Sequence, residues 1–92
     1  MFLEIVTPEA VLYSGEVISV AVPGVNGEFQ MLDNHAPIVS TLGKGNVKIY
    51  GDIQLNESVS EKFSKGSNNE MLLAINSGTI EMKDNKVIVL AD

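Results

Sequence analysis

The sequence predicts an all-β domain, a sandwich or a barrel, and three observations carry that expectation. Apolar residues recur with period 2 through most of the chain. Turn residues interrupt that pattern at intervals of about 8 to 12 positions, the spacing of short antiparallel strands. No stretch carries a sustained apolar stripe at helical spacing, so coiled coils and helical grooves are not the mode of contact.

The elements follow in order. Leu3 and Ile5 alternate with Glu4 as a half-buried strand that stops at Pro8. Ile18, Val20 and Val22 alternate with Ser19 and Ala21, and Pro23-Gly24 reads as the turn that ends them, with Gly27 just beyond. Between Gly27 and Pro37 lies a loop mixing large apolar residues with an acid and an imidazole. In a hairpin, Phe29 and Met31 would share one face, Gln30 and Leu32 the other. Gly43 and Gly45 mark the next corner, after which Val47 and Ile49 alternate with Asn46 and Lys48. Ile80 and Met82 alternate with Glu81 and Lys83, and Asp84-Asn85 then forms a two-residue hairpin loop leading into Lys86 to Leu90, since both residues tolerate positive φ. Gly51 to Glu70 is ambiguous: Ile53 and Leu55 alternate as in a strand, whereas Val59 and Phe63 stand four apart as on a helix. A structureless loop of that length is improbable in so small a domain, so one more strand is expected before a flexible tip at Ser64 to Asn69.

Composition bounds the function. Ninety-two residues, 45% of them hydrophobic, make one domain with one core. Twelve acidic residues against six basic ones leave a net charge of −6, and every basic residue is Lys. Nucleic acid and anionic lipid surfaces, which select basic patches, are therefore excluded as partners. With no Cys there is no disulfide, no thiolate nucleophile and no Cys-based zinc site. The opening MFLEIVTPE carries Glu4 and no basic segment before an apolar run, unlike a secretory signal. The longest apolar run, Val87 to Ala91, is far shorter than the roughly 20 residues a spanning helix needs. No direct lipid insertion is expected.

The candidate chemistry is thin. Asp33, His35, the only histidine, and Ser40 invite an acid/base and nucleophile reading, but residues so close on an extended chain point to alternate faces, whereas triads are gathered from separate elements. Glu28, Asp33 and His35 lack any metal-ligand spacing. The better reading is that Asp33-Asn34 makes a tight turn and His35 fixes the loop by hydrogen bonds. Pro23-Gly24-Val25-Asn26-Gly27 and Gly43-Lys44-Gly45 lack the Lys-Ser/Thr and helix that a phosphate loop requires, so they read as corners. No catalytic residue, metal or cofactor is expected. A free-standing carbohydrate- or peptide-binding sandwich is the alternative, but its usual aromatic platform is wanting: there is no Trp, and only Tyr13 and Tyr50.

Six segments in order resemble the epsilon subunit family of rotary F-type ATP synthases, called delta in mitochondria. Leu3 to Glu9 is similar to the family's LxVVTPE opening, and Tyr13-Ser14-Gly15-Glu16-Val17 and Val22-Pro23-Gly24 follow at the family's spacing. GEFQMLDNHAP, Gly27 to Pro37, resembles GEFGILPGHAP. Ser40 to Val47 resembles TxLKPGxVxI, and Gly78 to Asp92 resembles GFLEVxxNxVTILAD. Asp33-Asn34 stands where the family has Pro-Gly, Gly43-Lys44-Gly45 where it has Lys-Pro-Gly, and Gly51 to Glu70 is longer than typical.

The resemblance implies a sandwich of two antiparallel sheets with about ten short strands. It implies a non-catalytic subunit of the central stalk that links the gamma subunit to the polar loops of the membrane c-ring and transmits rotation for ATP synthesis made elsewhere. Glu28, Phe29, Met31 and His35 match the ring-facing loop. Thr7, Ser40 and Leu42 match positions near gamma. Pro23, Gly24, Gly27, Asp33, Asn34 and Gly45 match turns. The location implied is peripheral, on the cytoplasmic face of the bacterial plasma membrane. Most bacterial relatives continue into two helices that in some cases bind ATP, and because this sequence stops at Asp92, neither that hairpin nor nucleotide binding is expected.

Overall fold

The computed structural model describes residues 1–92. Its strands are β1 (Phe2–Val6), β2 (Val11–Glu16), β3 (Ser19–Gly24), β4 (Gly27–Met31), β5 (Ile38–Leu42), β6 (Gly45–Tyr50), β7 (Phe63–Lys65), β8 (Met71–Ile75), β9 (Gly78–Lys83) and β10 (Lys86–Ala91). They hydrogen-bond in the order β2-β1-β10-β9-β5-β3-β6-β8-β7, with β4 on β3 off this path. β5 meets β9 along five residue pairs but β3 only through Gly24 and Leu42. That single junction divides the ladder into two layers, β2-β1-β10-β9-β5 and β4-β3-β6-β8-β7, which curl over a common core.

Alternation places the core as expected. Leu3, Ile5, Val47, Ile49, Val87 and Val89 are fully buried, and Ile80 and Met82 almost so. Each such side chain contributes roughly 1.5 to 3 kcal/mol by leaving water. The hairpin at Asp84-Asn85 is present, with φ of 53° and 61° and Lys83 paired to Lys86. Those angles are what a primed turn requires.

Several expectations change. One pair is parallel: β1 runs beside β10 from Phe2–Lys86 to Val6–Leu90, because the β9–β10 turn lies at the end where β1 begins. The entire intervening chain serves as the crossover a parallel pair needs. Ile18 lies outside β3 and is 68% exposed, while Ser19, Val20, Ala21 and Val22 are all buried. β3 is covered on both faces, so period 2 does not describe it. Pro23 and Gly24 belong to β3, paired with Glu28 and Gly27; the reversal itself is Val25-Asn26, followed by Gly27 at φ 125°. Gly45 opens β6 rather than sitting in the turn.

In the ambiguous segment, Ile53 and Leu55 form no strand but pack half-buried against the core. A 3-10 turn at Ser60–Lys62 leads into the short β7. Val59 and Phe63, four apart, are both buried on either side of that turn. In this segment no strand precedes the expected tip; the short β7 begins at Phe63 and lies mostly within it. The remainder is a bonded turn in which the buried Glu70 carboxylate accepts from the Asn68 amide at 2.9 Å and Gly66 donates to the Glu70 carbonyl at 2.8 Å.

Candidate functional site

β4 and the loop after it form the surface singled out by sequence. The alternation along β4 is as expected: Met31 is fully buried and Phe29 packs half-buried against the core, while Glu28, Gln30 and Leu32 are exposed. Met31 therefore supports this surface from beneath, and its side chain is closed to solvent in the isolated chain. Gln30 Nε2 donates to Ser19 Oγ at 3.0 Å. Lys48 Nζ, on the far side of β3, pairs with Glu28 Oε1 at 3.0 Å. The pair reaches across β3, on which Ala21 stands opposite Lys48 and Pro23 opposite Glu28. The Glu28 carboxylate beside it holds the Lys48 ammonium above its ordinary range, first by hydrogen bonding and then by charge.

Beyond β4, His35 N–H donates to Leu32 C=O at 3.1 Å and Asn34 has φ 61°, so Asp33-Asn34 does form a tight turn. His35 Nδ1 lies 2.7 Å from the Ala36 carbonyl, and its ring is exposed. Two long-range bonds tie the turn down. Asn34 N–H donates to Asn85 Oδ1 at 2.8 Å, and the Met1 α-ammonium pairs with Asp33 Oδ1 at 2.8 Å and with Glu16 Oε1 at 3.6 Å. The acid/base reading loses its partners: Asp33 is engaged by Met1, and the Ser40 hydroxyl lies toward the Thr41 carbonyl at 3.5 Å. No three His, Asp or Glu side chains converge as a metal-holding group. Glu28 sits at the start of β4 and His35 past its end, so the strand between them spreads the two over about 10 Å or more. They form an elongated footprint, not one point.

The hydrogen bond from the Met1 ammonium to Asp33 is the leading cause that raises its pKa above the ordinary 8.0, with burial opposing. A raised folded-state pKa means a contribution fully present below pH 8 and lost as pH climbs through the folded value. Tyr13, raised above 10.0 chiefly by burial, and Lys48, raised above 10.5, act in the same direction at higher pH. Urea midpoints are therefore expected to start falling just above pH 8, and Asp33→Asn is expected to remove the first part of that decline. An unchanged profile in the variant refutes the Met1 assignment.

On the other set of positions, Thr7 is occupied locally: its hydroxyl and the Ala10 backbone bond each other at 3.2 Å, closing the Thr7-to-Ala10 turn. Leu42 is 1% exposed, and Ser40 shares its inward side of β5. The exposed positions of this strand are their neighbours, Val39 at 75% and Thr41. Sequence reasoning missed Lys48, Asn85, the Met1 ammonium and Val39. For the first three no local signal exists, since each acts on a residue far away in the chain. Val39 was masked because Ile38-Val39 gives no alternation to choose from.

The family model described as ATP synthase, Delta/Epsilon chain, beta-sandwich domain matches residues 1–92. An ATP synthase epsilon chain of Leptospira borgpetersenii serovar Hardjo-bovis is 40% identical over 90 residues, covering 98% of this chain and 59% of that one. One from Campylobacter jejuni subsp. jejuni serotype O:23/36 is 40% identical over 88 residues, covering 96% and 57%. The chain thus spans less than two thirds of these relatives. One from Chlorobium limicola is 37% identical over 90 residues, covering 98% and 86%. Among solved structures, a chain of the Euglena gracilis mitochondrial ATP synthase, OSCP/F1/c-ring, superposes with a TM-score of 0.72 at 15% identity, covering 97% of this chain and 48% of that one. A chain of the Tetrahymena thermophila mitochondrial ATP synthase central stalk/c-ring gives 0.69 at 13%, covering 98% and 61%. At such identities these two establish a shared fold.

Proposed function

Given that the chain belongs to the delta/epsilon β-sandwich family of ATP synthases, we propose that it is a non-catalytic central-stalk subunit linking gamma to the c-ring. It transmits rotation for ATP synthesis carried out on other subunits, and it binds no cofactor. The observation that carries this reading is the family match over all 92 residues. The ring-facing footprint is Glu28 and Gln30 on β4 and then Leu32 and His35 in the loop after it, with Phe29 and Met31 as its floor. The gamma side lies around Thr7 and the exposed Val39 and Thr41, backed by Ser40 and Leu42. No helix is long and apolar enough to cross a membrane, and the proposed location is peripheral, on the cytoplasmic face of the bacterial plasma membrane.

The pairing of Glu28 with Lys48 refines its role. A carboxylate already holding one ammonium offers its remaining oxygen to a cationic loop and sets orientation and on-rate more than affinity. The binding-module alternative loses its platform, since Tyr13 is buried and its hydroxyl donates to the Glu16 carbonyl at 3.1 Å.

Co-purification with gamma and the c-ring tests the assignment, and retention on glycan columns alone overturns it. Within the assembled complex, Glu28→Gln is expected to keep the melting temperature near wild type, because the pair is exposed. It should slow assembly with the ring and lower proton-coupled ATP synthesis. Unaltered coupling removes Glu28 from the footprint.

A further inference from the structure

The loop from Leu32 to Pro37 consists of six residues, all exposed, and has no strand or helix of its own. A surface loop of that kind keeps one conformation only if something outside it holds it. The β9–β10 turn is such a holder. Asp84 and Asn85 both adopt left-handed backbone conformations, and the Asn85 carbonyl accepts from the Phe2 amide at 3.1 Å, which fixes the turn against β1. From this platform the Asn85 side chain reaches across 51 positions of sequence and accepts from Asn34 N–H at 2.8 Å. Asn34 is the residue of the loop in the left-handed conformation, and that conformation sets the direction in which the next residue, His35, leaves the turn. The preceding residue, Asp33, is held by the Met1 ammonium.

We propose that Asn85 is a positioning residue for the ring-facing loop: its carboxamide oxygen, presented by a rigid hairpin turn, fixes Asn34 and thereby the direction of His35. The consequence for ring binding rests on the central-stalk reading above; the geometry does not. Asn85 touches no partner itself. Its contribution is to spare the loop the cost of ordering when a partner docks, which is the gain that preorganisation gives.

Two substitutions separate the acceptor from the turn. Asn85→Gly keeps the left-handed backbone at no steric cost and deletes the acceptor, whereas Asn85→Asp keeps both. Amide exchange by NMR on the full chain is expected to show Asn34 exchanging about tenfold faster in Asn85→Gly, with wild-type protection in Asn85→Asp and the β9 and β10 amides unchanged. Binding to a detergent-solubilised c-ring carrying gamma is expected to weaken about fivefold to tenfold in Asn85→Gly and to return in Asn85→Asp. Unchanged exchange at Asn34 in Asn85→Gly overturns the proposal, as does failure of Asn85→Asp to restore protection. Faster exchange with full binding retained overturns it too, because the loop then needs no holder. If the wild-type chain itself does not bind, the central-stalk reading falls and the positioning consequence with it, while exchange at Asn34 still decides whether Asn85 holds the loop.

Discussion

Met31→Ala is expected to lower the melting temperature by roughly 10 to 25 °C, the largest effect of any single change at the candidate site. Met31 is fully buried beneath the β3–β4 layer, between the exposed Gln30 and Leu32. Removing its side chain forfeits the transfer energy and leaves a cavity, together about 3 kcal/mol. In a domain of this length each kcal/mol moves the midpoint by about 4 to 8 °C. Met31→Leu, which nearly conserves volume, is expected to cost under about 1.5 kcal/mol. The contrast discriminates between two roles. A residue that touched a partner would lose binding on truncation while the isolated chain kept its stability. If the isolated chain bearing Met31→Ala melts within a few degrees of wild type, the support role is refuted.

Gly78→Ala is the second large effect. Gly78 opens β9 and is paired on both sides, to Ala91 on β10 and Leu42 on β5. A Cβ placed there would run into the Leu90 carbonyl oxygen and stand 3.2 Å from the Ala91 Cα. Both obstacles are backbone in an interior strand of the layer, so neither can rotate away. Opening the β9–β10 ladder to admit one methyl costs about 2 to 3 kcal/mol, expected as a fall in midpoint of roughly 10 to 20 °C. Thr79→Ala, one residue on and exposed, is the control and should change little. A Gly78→Ala chain as stable as that control would show that the strands separate more easily than their pairing implies.

Both predictions rest on facts with unequal visibility in the sequence. That Phe29 and Met31 share one face followed from alternation alone, because successive residues of a strand must point to opposite sides. That this face turns inward, with Met31 fully buried and Phe29 half-buried, depended on the layer beneath it. The family motif likewise marked Ser40 and Leu42, but their neighbours Val39 and Thr41 are the exposed ones. A motif fixes which residues matter without fixing which way they point. Glu28 was visible as an exposed acid, yet its partner Lys48 lies on a strand two places over in the sheet. Only the register of β4, β3 and β6 brings the two together.

The amino-acid sequence by itself determined the class of fold, most of the strands, the Asp84-Asn85 hairpin, the Asp33-Asn34 turn and the end-to-end family likeness. These are properties of neighbours: side-chain alternation, the backbone angles that Gly, Asn and Asp tolerate, and residue order. The tertiary structure decided that β3 is covered on both faces, that Ile18 is exposed, that β1 and β10 run parallel, and that Gly51 to Glu70 holds a 3-10 turn and a short late strand. It also decided what holds the loop: Met1 on Asp33 and Asn85 on Asn34. Such pairings join groups whose separation along the chain carries no local preference, so they come into being only when strand register brings the far segments side by side.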